Sequence, residues 1–258
     1  MHSDSRKTAA AGLALLGLLA SGSVLAQPAP GAKARSSVGL AVVAQKSPYA
    51  GYDTDVLPVP VINWEGRKFH FRGGSIGYTL FDDQRTSVSL LASPYFMRFK
   101  HKDTDNPQLR QLSNRSMSAM AGVAVRHTAP WGVLQGNVQA EVSGHGGGVA
   151  ADAKYGYPIP TGRVVLMPGV GANYASSSLN DYYFGVSAVE AQRSGLPAYR
   201  AGSGVAPYMD LSAVMPLGPH WTATASLRRT LLSSAVKDSP MTVGTHMDSA
   251  LLALSYGF

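Results

Sequence analysis

Two stretches carry the residue types of a hydrolase. Gly73-Gly74-Ser75-Ile76-Gly77 fits the Gly-x-Ser-x-Gly pattern that presents a nucleophilic serine on a sharp turn. His145-Gly146-Gly147-Gly148 has the composition of a lipase oxyanion loop. Their surroundings count against an esterase of that fold. The elbow needs a helix directly after the serine, whereas Tyr78-Thr79-Leu80 reads as continuing strand, and the oxyanion loop should precede the serine. Glycine within a strand more often marks a bend or close packing. A Ser/His or Asp/His site on the wall or rim of a barrel is the remaining hydrolytic option. It would draw on His70, His101, His127, His145, His220 or His246, and it requires a serine or carboxylate within hydrogen-bond reach of one of them. The histidines never stand at i, i+4 beside a glutamate, and there is no cysteine. No metal, disulfide or cofactor is therefore expected.

Five charges fall on otherwise small, polar strand faces: Arg126, Glu141, Arg163, Asp210 and Arg228. Lining a barrel lumen, they would form either a selectivity filter for a small anionic or zwitterionic solute or a packed ion-pair network. With about ten strands there is little room for an open pore, so the network is the expectation.

The elements that must position these residues are strands. In 220–231, Trp221, Ala223, Ala225, Leu227 and Leu231 alternate with Thr222, Thr224, Ser226, Arg228 and Thr230. Arg229 interrupts the apolar face near one end, where a long side chain can snorkel. The same period of two runs through 115–125, 132–143 and 164–174. It is strictest at the end of the chain, where Leu252, Leu254, Tyr256 and Phe258 share one face. A patterned strand ending on Phe suits the closing strand of an outer-membrane barrel, with Tyr256 and Phe258 serving as a signal to the barrel-assembly machinery.

Residues 1–26 read as a secretory signal: Arg6 and Lys7, an apolar run, then Val24-Leu25-Ala26 before Gln27. The run is shorter than the roughly 20 residues of a membrane-spanning helix. Residues 27–35 form a Pro/Ala linker, and 36–258 one barrel domain. Removing Asp4, Arg6 and Lys7 with the signal lowers the net charge from +7 to +6. The basic residues are scattered, which excludes nucleic acid and favours an anionic envelope surface such as lipopolysaccharide. Charged residues make up only 14% of the chain, beside 28 Gly, which fits a wall with polar but weakly charged lumen faces.

Connector lengths set the topology. Asp82-Asp83, Pro130-Trp131, Pro158-Ile159-Pro160 and Leu217-Gly218-Pro219 are short; 46–67, 101–114, 175–202 and 232–246 are long. Outer-membrane barrels keep short turns in the periplasm and long loops outside. Strict alternation predicts a closed antiparallel transmembrane β-barrel of about ten strands, with 59–64 and 181–186 as excursions inside outer loops. Twelve strands is the alternative if both segments enter the wall, at the expense of placing long loops on the periplasmic side.

Several segments resemble the MltA-interacting protein (MipA)/OmpV family of Gram-negative outer-membrane proteins. They are Ser47-Pro48-Tyr49-Ala50-Gly51-Tyr52-Asp53, Pro58-Val59-Pro60 leading to Gly66-Arg67-Lys68-Phe69, Asp181-Tyr182-Tyr183-Phe184-Gly185-Val186, and Lys237-Asp238-Ser239-Pro240. The resemblance spans about 38–258. It implies a non-catalytic outer-membrane barrel that scaffolds a lytic transglycosylase and a murein synthase acting on peptidoglycan. Adhesion and altered antibiotic susceptibility are associated with other members. A narrow solute channel is the next reading, and a membrane-embedded hydrolase follows it. The resemblance supplies no catalytic residues. Tyr49, Tyr52, Asp181, Tyr182, Tyr183 and Phe184 are candidate loop contacts, with loop packing as their alternative role. Contacts to a periplasmic partner would fall on Asp82-Asp83, Pro130-Trp131 and 158–161.

Overall fold

The computed structural model describes residues 36–258; the expected signal peptide (1–26) and linker (27–35) lie outside the described residues. The strands are β1 (Ser37–Lys46), β2 (Thr54–Glu65), β3 (Phe69–Arg72), β4 (Ser75–Asp82), β5 (Thr86–Tyr95), β6 (Ser118–Ala129) and β7 (Gly132–Glu141). They continue with β8 (Val149–Gly156), β9 (Ile159–Thr161), β10 (Val164–Ala175), β11 (Gly204–Pro216), β12 (Trp221–Leu231) and β13 (His246–Gly257). Helices α1 (Ser177–Phe184), α2 (Ala188–Ser194) and α3 (Ser234–Lys237) lie in the connections. Neighbouring strands pair antiparallel, and β13 meets β1 from Ser37↔Gly257 to Gln45↔Ser249, closing the wall. The short β9 lies beyond the end of β8 along β10, so twelve strands make the closed barrel and one is extra.

The expected ten strands are therefore corrected to twelve. The two additional strands both come from the stretch before Asp83. Residues 59–64 are not a loop excursion but part of β2, which follows β1 along its whole length. The expected strand after Arg67 is folded into the hairpin β3–β4, turning at Gly73 (φ +56°) and Gly74 (φ +89°), a left-handed pair that glycine adopts without strain. Because two strands are added together, parity is preserved. The turns 66–68, 83–85, 130–131, 162–163 and 217–220 lie at the end holding Ser37 and Gly257, and the long connections lie at the other. Residues 181–186 stay outside the wall, largely as helix α1.

Alternation governs the wall as the pattern requires. On β1, Val38, Leu40 and Val42 face outward while Ala41, Val43 and Gln45 are buried inside; on β13, Leu252 and Leu254 face outward and Leu251 inward. Aromatic rings ring the short-turn end: Trp221 meets Tyr256 edge-on at 5.2 Å, and Trp131 stacks on Tyr155 at 6.3 Å. An outward apolar band edged by an aromatic girdle is what a bilayer selects.

Candidate functional site

The long loops fold over the outer mouth and pack into it. Tyr49, Phe99, Leu109, Leu179, Tyr183, Phe184 and Met241 form one buried cluster, each side chain contributing roughly 1.5–3 kcal/mol by leaving water. The Tyr49 ring meets Phe99 at 5.0 Å and Phe184 at 5.3 Å, and its hydroxyl donates to the Tyr183 carbonyl at 3.1 Å. The Tyr183 hydroxyl exchanges a hydrogen bond with Ser118 Oγ at 2.8 Å and donates to the Ser116 carbonyl at 3.1 Å. Tyr182 accepts from the Ser116 N–H at 2.9 Å and stacks on His145. Asp181 accepts from the Ala201 N–H at 2.9 Å, and Tyr52 is hydrogen-bonded to both N and O of Lys100. All six candidate loop contacts are thus engaged in holding the loops together.

A charged hinge locks this plug. Helix α2 starts at Ser187, whose hydroxyl and N–H form a capping box with Glu190, and ends at Gly195 in the left-handed conformation (φ +71°). Glu190 also accepts from Arg115 at 2.9 Å and from the Ser113 N–H at 3.0 Å. Burial acts to raise the pKa of this carboxyl, but the backbone donors and Arg115 outweigh it and bring it down to about 2. Neither Arg115 nor Glu190 was singled out from sequence, because their pairing joins loops 75 residues apart.

Inside the barrel the two sides differ. Ala41, Val43, Leu57, Val59, Val61 and Leu251 make the lumen face of β13, β1 and β2 apolar. Beyond β13 along the wall, Lys154 of β8 meets Asp210 of β11 at 2.7 Å, and Arg228 of β12 lies 3.8 Å from the same carboxylate. The Tyr208 hydroxyl donates to Asp152 at 2.9 Å, and the Arg228 guanidinium lies 4.2 Å from the Tyr208 ring centre. The expected lumen charges are distributed differently among themselves. Asp210 and Arg228 belong to this network, and Arg126 is half-buried on the lumen side of β6. Glu141 stands at the outer end of β7, where it accepts from the N–H groups of Ser143, His145 and Gly147. Arg163 is exposed in the 162–163 turn. Sequence reasoning missed Asp152 and Lys154, although their i, i+2 spacing places both on one strand face.

The hydrolase motifs resolve into structure. Gly73-Gly74 is the hairpin turn, Ser75 is buried at the start of β4, and Gly77 gives room to His70, whose ring a Cβ there would strike. At the rim, Ser143 Oγ lies 3.1 Å from His145 Nδ1, so a serine–histidine pair exists. Its order is wrong for a triad: the serine hydroxyl donates to Glu141, leaving the carboxylate on the serine rather than behind the imidazole. Glu141 also occupies the N–H groups of His145 and Gly147 that an oxyanion would need.

The sequence model of "MltA-interacting protein MipA" matches residues 38–258. The chain belongs to the MltA-interacting protein MipA family. It is 38% identical over 228 residues to the MltA-interacting protein of Escherichia coli K12, covering 88% of this chain and 92% of that one. It is 34% identical over 205 residues to the putative outer membrane protein YiaT of the same strain, covering 80% and 83%. Among solved structures, the NanC porin aligns with a TM-score of 0.49 at 6% identity, over 86% of this chain and all of that one. This MipA-family protein is an outer-membrane β-barrel, a class that keeps its short turns in the periplasm and its longer loops outside.

Proposed function

We propose that the protein is a non-catalytic docking barrel that holds a lytic transglycosylase, and through it other peptidoglycan-remodelling enzymes, at the inner face of the outer membrane. The observation that carries this reading is its kinship, over 88% of the chain, with a protein described as MltA-interacting. The electrostatics of the periplasmic rim support it. Arg67, Lys68, Arg85 and Arg163 all project from turns on that face and are exposed. The acids on the same rim offset only part of this charge: Glu65 pairs with Arg72, while Asp82 and Asp83 are exposed carboxylates, Asp83 accepting from the N–H groups of Arg85 and Thr86. The remaining rim is basic, fitted to steer an acidic surface patch. The plugged outer mouth counts against an open general pore, and the Glu141–Ser143–His145 order counts against hydrolysis.

The test is binding of a purified lytic transglycosylase to the barrel in nanodiscs, against a variant carrying R67E, K68E, R85E and R163E. Docking through the rim predicts at least tenfold weaker binding for the variant and a steep salt dependence for the native barrel. Equal binding by both would remove the rim from the proposal; no binding by either would remove the proposal itself.

A further inference from the structure

The closed wall is only partly paired along one seam. β2 runs its full length beside β1, yet on its other edge only Asn63, Trp64 and Glu65 pair with β3. β3 is four residues long and turns back at Gly73-Gly74, so the hairpin ends low in the wall. On the far side, β4 reaches β5 only as far as Ile76↔Ala92, leaving Ser93, Pro94 and Tyr95 paired to β6 alone. Above the hairpin, among the described residues, no strand stands between β2 and β5. The gap borders 54–62 of β2, roughly 30 Å along that strand, but only 93–95 of β5, roughly 10 Å.

The sequence is fitted to this gap on both sides. Pro58 and Pro60 sit on β2, and Pro94 sits on β5, each within an unbroken ladder to its paired neighbour. Proline has no N–H, so the missing donors must belong to the unpaired edges. Unpaired backbone donors facing lipid are costly, and proline removes them at these positions. Proline also blunts an edge against pairing with another strand. The outward residues of β2 beside the gap, Val56 and Ile62, are exposed and apolar.

Phe96 follows directly on the β5 edge of the gap. The ring packs on the apolar lumen face of β13, β1 and β2, and a Cβ on Gly74 would lie 3.8 Å from it. The segment 96–99 is held from elsewhere: Phe99 exchanges backbone hydrogen bonds with Arg115, and Lys100 is tied to Tyr52. Swinging Phe96 aside therefore breaks none of these bonds. Behind it, beneath the loop plug, is a cavity of about 130 Å³ whose lining includes Phe96, Met97, Met120, Gln139, Asn173 and Asn180. A volume of about 150 Å³ accepts one benzene-sized molecule, and the amides add donors and acceptors for a single polar group.

We propose that the gap between β2 and β5 is a lateral portal, gated by Phe96, through which a small neutral amphiphile of about one aromatic ring passes between the outer leaflet and this cavity. The probe is 4-fluorophenol, followed by ¹⁹F NMR with the full barrel in phospholipid nanodiscs. Native protein should show saturable line broadening; F96A should raise the exchange rate at least fivefold and F96W should lower it. Folding of each variant is checked by its heat-dependent shift on a gel. The route is read with L57C, the sole cysteine, behind the gate. In the F96A background it should react faster with a membrane-partitioning maleimide and not with a charged methanethiosulfonate. No binding in either native or F96A protein, exchange indifferent to Phe96, or equal acceleration by the charged reagent would each overturn the portal.

Discussion

Lys154 Nζ lies 2.7 Å from Asp210 Oδ2 across β10, the strand that separates their own, and Gly169 of that strand leaves the space in which they meet. A Cβ at Gly169 would stand 2.9 Å from Lys154 Cε and 3.0 Å from Asp210 Oδ1. Gly171, two residues on and on the same face, accommodates the Tyr208 ring on its way to Asp152. The network is thus built from three strands and admitted by a fourth.

Removing one partner should expose how this network is balanced. Asp210→Ala takes away the carboxylate that both Lys154 and Arg228 face, and it should destabilise the barrel by about 3–5 kcal/mol. The double change K154M/D210L leaves Asp152 with Arg228, a neutral set, and should recover most of that loss. Gly169→Ala should cost roughly 1–3 kcal/mol through overpacking alone. Urea unfolding in detergent micelles reads all three. A double variant no more stable than Asp210→Ala would show that the ion pair is not the source.

How much of this was legible in the sequence depends on how local the information is. The faces of β12 and β13 follow from period two, so the sides taken by Arg228 and Leu252 could be assigned without a structure. Lys154 could not be matched to Asp210 that way, because their meeting requires a glycine on a strand between them. The count fell short by two for a related reason. Alternating connector lengths make 46–67 a single long outer loop, whereas β2 stands there as a strand bordering a gap, with Pro58 and Pro60 following the rule for an edge. Gly73-Gly74 reads as a bend within one strand, because a strand as short as β3 shows no pattern of its own. The loop motif 181–186 was conspicuous as a string, while the reason for it, Tyr183 bridging Ser116 and Ser118, lies on the far side of the mouth.

The plug should respond to single atoms. Tyr183→Phe removes the hydroxyl shared with Ser118 and Ser116 and should cost about 1 kcal/mol. Tyr183→Ala empties a fully packed site and should cost about 3–5 kcal/mol. If the loops close the mouth, planar-bilayer conductance should stay low for the native protein and for Tyr183→Phe, and rise for Tyr183→Ala. A large conductance in the native protein would refute closure.

Helix α2 offers a separate check on the same region. Ser187→Ala removes the side-chain half of the capping box and should weaken the helix by about 1 kcal/mol. Limited proteolysis within 176–203 should quicken, with the barrel itself remaining intact. Unchanged cleavage would mean that Glu190 alone holds the helix start.

Acid should loosen the plug through Glu190, and the sign follows from its folded pKa. That pKa, about 2, lies below the ordinary 4.5, so the carboxylate contributes stability that is fully present above the ordinary value. The contribution fades as pH falls from near 4.5 and is gone once pH drops through the folded pKa. The protection factors of amides in 113–116 and 187–195, their exchange relative to the intrinsic rate at each pH, should therefore fall over that window, while amides of the β12–β13 ladder stay protected. Glu190→Gln keeps the shape but not the charge on which Arg115 and the two backbone donors converge. It should exchange faster at neutral pH and lose the acid-dependent step. A step that persists in Glu190→Gln would assign the acid response to a different carboxyl group.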